Sequence, residues 1–195
     1  MSVPCTTALV QLQRECLIRW KQSGIRFSQT DFLLLVEENH AFNYQLWHAE
    51  DRARRDDQGF EFVYRAKREI DHYNQQRNNR MEAIDDWLMK ALHPLSPTHC
   101  PVHSETPGMM IDRLSILALK TYHMAEQLKR TDTDATHHAT CTNQLLILET
   151  QQNQLQTCLS DLLEEVYQKR KTFQTYRQCK MYNDPTLNPE LYQQL

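Results

Sequence analysis

Three groups of polar side chains recur at helical spacing and have the chemistry to bind a polar ligand. The first follows steps of four, three or four, and three residues, so it shares one helix face: Asn43, Trp47, Glu50, Asp51 and Arg54. An indole stacks on rings and a guanidinium pairs with phosphate, which together suit a phosphorylated sugar. The alternative is a solvated charged face, since most residues from 48 to 57 are charged.

The second group has oxygen ligands of the type that hard cations accept. Steps of three, four, four and three residues place these side chains on one helix face: Asp71, Asn74, Asn78, Glu82 and Asp85, with Arg77 among them. A binding site is one interpretation of this polar face. The other is an outward face stabilised by ion pairs with Arg68 and Arg80.

The third group begins at a predicted helix start, where Thr106 is the N-cap and Pro107 the first helical residue. Backbone N–H groups near Gly108 would suit an anion. Polar residues then enter an otherwise apolar helix: Asp112, Arg113, Ser115, Lys120 and His123. Charges in such a helix are expected to be partly buried and paired. A ligand site and a structural ion pair with Glu50, Asp51 or Arg77 both remain open.

Composition predicts an all-α protein of one domain. The chain has 195 residues but only three glycines, too few for hairpin turns or a glycine-rich phosphate loop. Its formal net charge of -3 does not favour a nucleic-acid partner. No apolar window reaches about 20 residues, so no transmembrane segment is expected. Six scattered cysteines are read as free thiols, which favours a cytoplasmic location.

Apolar periodicity divides the chain into an antiparallel bundle of five helices, with a domain over 1–182 and a tail over 183–195. The first four helices are predicted over 7–23, 32–55, 60–92 and 107–129, with a proline-rich loop at 93–106. The third and fifth helices are the long ones. The fifth carries a coiled-coil-like seam from Leu145 through Leu155 and Leu162 to Tyr176, broken by Gln152 and Lys169. That seam packs either inside its own bundle or against a second copy.

Three strings carry a family resemblance: LWHAEDRARR, EIDHYNQQRN and SETPGMMIDRLSILALKTYHM. They resemble a bacterial family known as domain of unknown function 4254. The resemblance implies a cytosolic helical protein, loosely associated with genes for lipopolysaccharide and other envelope-sugar synthesis. It implies neither a reaction nor site residues.

A second comparison is with helical nucleotide pyrophosphohydrolases of the MazG kind, which hold Mg²⁺ with E-x-x-E followed by E-x-x-D. The segment from Glu82 to Asp85 is similar to the second half of that pattern. The first half departs, because Glu50 is followed three residues later by Ala53 and Glu69 by His72. This departure argues against metal-dependent hydrolysis, which is kept as the enzyme alternative.

The leading hypothesis is a binding or accessory protein for a phosphorylated sugar or nucleotide-sugar in envelope-polysaccharide synthesis, without a metal ion. Its pocket is predicted to combine ten residues: Asn43, Trp47, Glu50, Asp51, Arg54, Asn74, Arg77, Asn78, Asp112 and Arg113. In the enzyme alternative, four acidic residues hold Mg²⁺ to cleave a pyrophosphate: Glu50, Asp51, Glu82 and Asp85. In the third alternative the chain is a scaffold that forms a homodimer through the fifth helix.

Overall fold

The computed structural model describes residues 4–181 and 184–192. Within these ranges the chain forms five long helices and one short one: α1 (Thr6–Ser23), α2 (Asp31–Ala53), α3 (Phe60–Leu92), α4 (Pro107–Gln127), α5 (Ala135–Tyr167) and α6 (Pro189–Tyr192). The only strand-like pairing in the described residues is a single bridge between Val102 and Thr172. The all-α prediction is therefore confirmed.

The helices are arranged as two antiparallel hairpins with α1 packed across them. In the first hairpin, Phe32 near the start of α2 lies against Trp87 near the end of α3, with ring centroids 4.6 Å apart. In the second, α4 and α5 pack along each other, and α1 contacts α2, α4 and α5. The apolar stripe of α1 is buried in the shared core: Leu9, Leu12, Cys16 and Trp20.

The predicted helix bounds hold for α1 to α4 within about two residues, and α3 matches its prediction. The fifth helix was predicted too long, since α5 ends at Tyr167. Lys169 takes a left-handed backbone conformation with φ of 61°, and its Nζ donates to the carbonyl oxygens of Leu92 and His93, each at 2.6 Å. The chain turns back toward α3 there, and Phe173 is buried in the core without being helical.

The seam of α5 packs inside the protomer. Leu155, Leu159, Leu162 and Val166 are buried against the other helices, so they are not available as the dimer seam that the alternative required. Two other apolar residues of α5, Leu146 and Ile147, are 63% and 55% exposed.

All six cysteines are free, as predicted. No helix in the described ranges has the length and apolar character needed to cross a membrane. Of the predicted tail, residues 183 and 193–195 lie outside the described part of the chain.

A buried carboxylate organises the connection between α1 and α2. Glu37 is fully buried, and one of its oxygens accepts hydrogen bonds from the backbone N–H groups of Ser28 and Gln29 at 2.9 and 3.0 Å. Arg19 forms an ion pair with the other oxygen. Because a buried carboxylate is tolerated only with such partners, Glu37 ties the loop to both helices.

The start of α4 is held against α3 by a close backbone approach. Thr106 Oγ1 accepts a hydrogen bond from the Met109 N–H at 3.2 Å, which confirms the predicted N-cap. The Gly108 N–H donates to Asp85 Oδ1 at 2.7 Å. A Cβ atom at position 108 would lie only 2.5 Å from the Met81 carbonyl oxygen, so only glycine fits between the two helices.

Replacing Gly108 with alanine is expected to lower the free energy of unfolding by about 1–3 kcal/mol, because the added methyl group overpacks a backbone contact. Urea denaturation measures the change. Ser160→Ala, an exposed substitution on α5, is the control and should stay within about 0.5 kcal/mol of the wild type. Equal effects of the two substitutions would contradict the close approach of α3 and α4.

Burial raises the pKa of Asp85 to about 6, against the opposing hydrogen bonds from Thr106 and Gly108. Because this folded-state pKa lies above the unfolded value of 3.8, the folded state binds the proton more tightly, and its stability falls as pH rises from about 4 to 6. Asp85→Asn mimics the protonated carboxyl group and should remove this fall, ending up to about 3 kcal/mol more stable than the wild type above pH 6. Parallel pH–stability curves for the two proteins would contradict it.

Candidate functional site

A buried polar cluster is centred on Asp112 of α4. Asp112 Oδ1 accepts hydrogen bonds from the side-chain amides of Asn43 at 2.8 Å and Asn39 at 3.1 Å. Arg77 Nε of α3 lies 3.2 Å from the same oxygen, an ion pair without hydrogen-bond alignment. The predicted charge at 112 is thus buried and paired, and the cluster joins α2, α3 and α4.

A serine and a histidine meet in the same cluster. His40 Nδ1 lies 2.7 Å from Ser115 Oγ, and Asn43 donates to that hydroxyl at 3.0 Å. Both His40 and Ser115 are fully buried. Burial lowers the pKa of His40 to about 3, so the ring is neutral and is a weak base. The pair is therefore structural, since a substrate cannot reach it.

The neighbouring residue, Arg113, points to a different side of α4. Successive helical residues are about 100° apart, which separates the buried Asp112 from the exposed Arg113. Arg113 Nη1 donates to both carboxylate oxygens of Glu105, at 2.7 and 2.9 Å. Glu105 belongs to the loop before α4, so this ion pair lies on the surface.

Three of the ten predicted pocket residues lie at the end of α2, away from both the Asp112 cluster and Arg113. Arg54 pairs with Glu50 at 3.2 Å on the exposed end of α2, and Asp51 is exposed there too. Asn74 and Asn78 are partly buried on α3. The solvated-face interpretation fits the end of α2, because most of its charges contact water.

The four acidic residues of the enzyme alternative do not meet. Arg52, beside Glu50 and Asp51, pairs with Glu69, and Glu82 lies roughly 20 Å further along α3 at 1.5 Å per residue. Glu82 pairs with Arg177 at 3.1 Å, and Asp85 is buried against Gly108. Among the described residues, no three His, Cys, Asp or Glu side chains are grouped so as to hold a metal ion.

The predicted anion site at the start of α4 is filled from within the protein. The Gly108 N–H that was expected to face a ligand donates instead to Asp85. An anion does bind at this helix start, as the sequence pattern indicated, but it is a side chain of α3.

A surface cleft follows the line along which α4 and α5 pack. One part, the aromatic groove, has a cavity volume of about 470 Å³, within the range of small-molecule sites. Trp47 and His123 stack in its wall with ring centroids 4.3 Å apart and an interplanar angle of 1°. The rest of its lining comes from α4 and α5: Lys120, Met124, Gln127, Gln144, Ile147, Leu148 and Gln151.

The other part, the arginine groove, has a cavity volume of about 700 Å³ and contains the Arg113–Glu105 pair. Lys120 and Gln151 line both grooves, so the two adjoin, and together they are called the α4–α5 cleft. Trp47 and Arg113, predicted to share a pocket, lie in the two parts of this cleft. The cleft thus has aromatic, amide and cationic side chains but excludes the Asp112 cluster.

The surroundings of His123 disfavour its protonation. Burial lowers its pKa, and neighbouring His48 lowers it further. The imidazole ring offers a flat partner to the indole of Trp47, one face of which it covers. A ligand ring that stacks directly on Trp47 would therefore have to use the face of the indole that His123 does not cover.

The glutamines of α5 were not predicted to line a site. Gln144, Gln151 and Gln154 recur at steps of seven and three residues, which places them on the α4 side of the helix. That spacing is visible in the sequence. Their meeting with Lys120 depends on how α5 packs on α4, which no local pattern specifies.

Asp112→Ala is expected to lower the free energy of unfolding by about 3 kcal/mol, because it leaves Arg77 and the buried Asn39 amide without their acceptor and removes one of the two acceptors of Asn43. The estimate is at the low end for a buried pair, since Arg77 keeps partial access to water. Thermal and urea unfolding measure the loss.

The adjacent Arg113→Ala is the matched control and should cost less than about 1 kcal/mol, since its ion pair is exposed. Asp112→Asn keeps an acceptor oxygen, so its loss of unfolding free energy should lie between the losses of Asp112→Ala and Arg113→Ala. A loss for Arg113→Ala as large as that for Asp112→Ala would contradict this division between buried and surface charges.

Comparison with known proteins gives a family and no activity. Residues 33–175 match the model of a family described as "Protein of unknown function (DUF4254)", and the chain belongs to that family. No curated protein and no solved structure matches the chain.

Proposed function

We propose that this member of the DUF4254 family binds a nucleotide-sugar or another phosphorylated sugar in the α4–α5 cleft, as a binding or accessory protein. The observation that carries the proposal is the adjacency of the two grooves: Lys120 and Gln151 line both the aromatic and the arginine groove. One ligand can therefore contact an apolar wall and a cationic wall at once.

Each part of the cleft suits one part of such a ligand. The Trp47–His123 stack provides a flat apolar wall for a sugar or base ring. Side-chain amides of Gln144 and Gln151 can donate to and accept from sugar hydroxyls. Lys120 and Arg113 supply positive charge for phosphate, and Arg113 adds its planar guanidinium.

The cellular setting is part of the same proposal. We place the protein in the bacterial cytoplasm, in the synthesis of lipopolysaccharide or another envelope polysaccharide. Two observations support this setting. The chain belongs to the DUF4254 family, whose resemblance implied an association with genes for envelope-sugar synthesis, and its cleft suits activated sugars. A homodimer would use the exposed Leu146 of α5, since Leu155 and Leu162 of the seam are buried.

Isothermal titration calorimetry with UDP-glucose, GDP-mannose, UDP and glucose tests the proposal. At least one nucleotide-sugar should bind more tightly than free glucose. Lys120→Ala should weaken that binding about tenfold, the effect of removing one charge-assisted contact worth roughly 1.4 kcal/mol. Lys120 is exposed, so its loss should leave the unfolding temperature unchanged.

Arg54→Ala is the matched control, because it removes an exposed cation outside the cleft and should leave the affinity unchanged. Trp47→Ala should weaken binding of the sugar-bearing ligands. No binding of any nucleotide-sugar at millimolar concentration, or equal affinities of wild type and Lys120→Ala, would rule the proposal out. Light scattering of the same samples reports the oligomeric state.

A further inference from the structure

The carboxylate of Glu105 is already paired with the guanidinium of Arg113, the group that the proposed ligand needs for its phosphate. Its carboxylate lies between the loop before α4 and Arg113, and its side chain lines the arginine groove. A carboxylate and a phosphate offer the same kind of oxygen acceptors to arginine. The ion pair therefore already fills an anion-binding position inside the cleft.

The pair leaves most of the guanidinium unused. Both hydrogen bonds to Glu105 come from one nitrogen, Nη1 of Arg113. In the described ranges of the chain no hydrogen bond or ion pair involves Nε or Nη2 of this residue, so two of its three nitrogens remain open to a ligand. Such a one-nitrogen contact lacks the two-point geometry that makes arginine pairs strong.

The backbone at Glu105 is held in place, and among the described residues its carboxylate is held only by Arg113. The Glu105 carbonyl oxygen lies 2.6 Å from His103 Nδ1, and the next residue, Thr106, is buried as the N-cap of α4. The carboxylate is 29% exposed. A ligand that displaces the carboxylate breaks only its contacts with Arg113 and leaves the backbone contacts of the loop in place, so the carboxylate stays tethered beside Arg113 as a local competitor.

A second cation in the cleft has no such competitor. Among the described residues, no carboxylate lies within 4 Å of Lys120 Nζ, and Lys120 follows Arg113 by two helical turns, about 10 Å along α4. The long side chains of both residues line the same groove. With Glu105 in place the three side chains carry a net charge of about +1, and with it displaced the two cations match a doubly negative ligand.

We propose that the anionic part of the ligand is a diphosphate that binds between Arg113 and Lys120 by displacing the carboxylate of Glu105. This inference rests on the proposed function and deepens it. Glu105 then acts as a selectivity residue: a single weakly charged group does not displace the tethered carboxylate, whereas a diphosphate gains two cations in exchange. The inferred ligand class is a sugar or nucleoside joined through a diphosphate.

Inorganic pyrophosphate, inorganic phosphate and UDP-glucose are the probes, titrated into the wild type and Glu105→Gln at constant ionic strength. Glu105→Gln should bind pyrophosphate about tenfold more tightly than the wild type, with at least as large a gain for phosphate, because the variant no longer selects against the smaller anion. Arg113→Ala should abolish the gain when combined with Glu105→Gln. Glu149→Gln makes the same change of net charge outside the cleft and should bind all three probes as the wild type does.

The outcomes separate this inference from the proposed function. If UDP-glucose binds in a Lys120-dependent way but Glu105→Gln leaves pyrophosphate affinity unchanged, the displacement of Glu105 is wrong and the cleft proposal stands. If neither protein binds any probe, both are wrong. If Glu149→Gln strengthens binding as much as Glu105→Gln, the effect is one of net charge, and the displacement is again wrong.

Discussion

The carboxylate of Asp112 sets the rotation of α4 about its own axis, and the rest of the surface follows from that rotation. Its oxygen is held at once by Asn39 and Asn43 of α2 and by Arg77 of α3, so this face of α4 can point only inward. Polar contacts of this kind are directional, whereas apolar packing alone tolerates sliding and rotation. Once Asp112 faces inward, Arg113 and Lys120 must line the side that meets α5.

The cluster around Asp112 also shows why polar seams in a helical sequence have two possible meanings. Buried hydrogen bonds between helices and contacts with a ligand need the same residue types. The residue pattern of one sequence does not distinguish these two uses. Here Asn43, Arg77 and Asp112 serve the fold, while Arg113, one position along the chain, is free to face a cleft. Of two adjacent residues in a helix, one can therefore stabilise the core while the other lines a cleft.

The elements that could be predicted are those that depend on local pattern. Helix α3 was placed to the residue from its apolar stripe between Gly59 and Pro94, and the Thr106 cap followed from the Thr–Pro pair. The end of α5 could not be, because Phe173 keeps the spacing of the helical stripe although the chain has already turned at Lys169. Part of the candidate site was predicted, since Trp47 and Arg113 both lie in the cleft. The amides opposite them were not predicted, because they belong to α5, and tertiary packing decides which helix α5 contacts.

The position of α1 bears on what constitutes an independent folding unit in this family. The stretch that matches the family begins at residue 33, inside α2, and so leaves α1 outside it. Yet Leu9, Cys16 and Trp20 fill the interior between α2, α4 and α5, and Arg19 neutralises the buried Glu37. A chain trimmed to the matched stretch would lose a wall of its own interior and leave an uncompensated carboxylate. The autonomous unit is therefore larger than the segment by which the family is recognised.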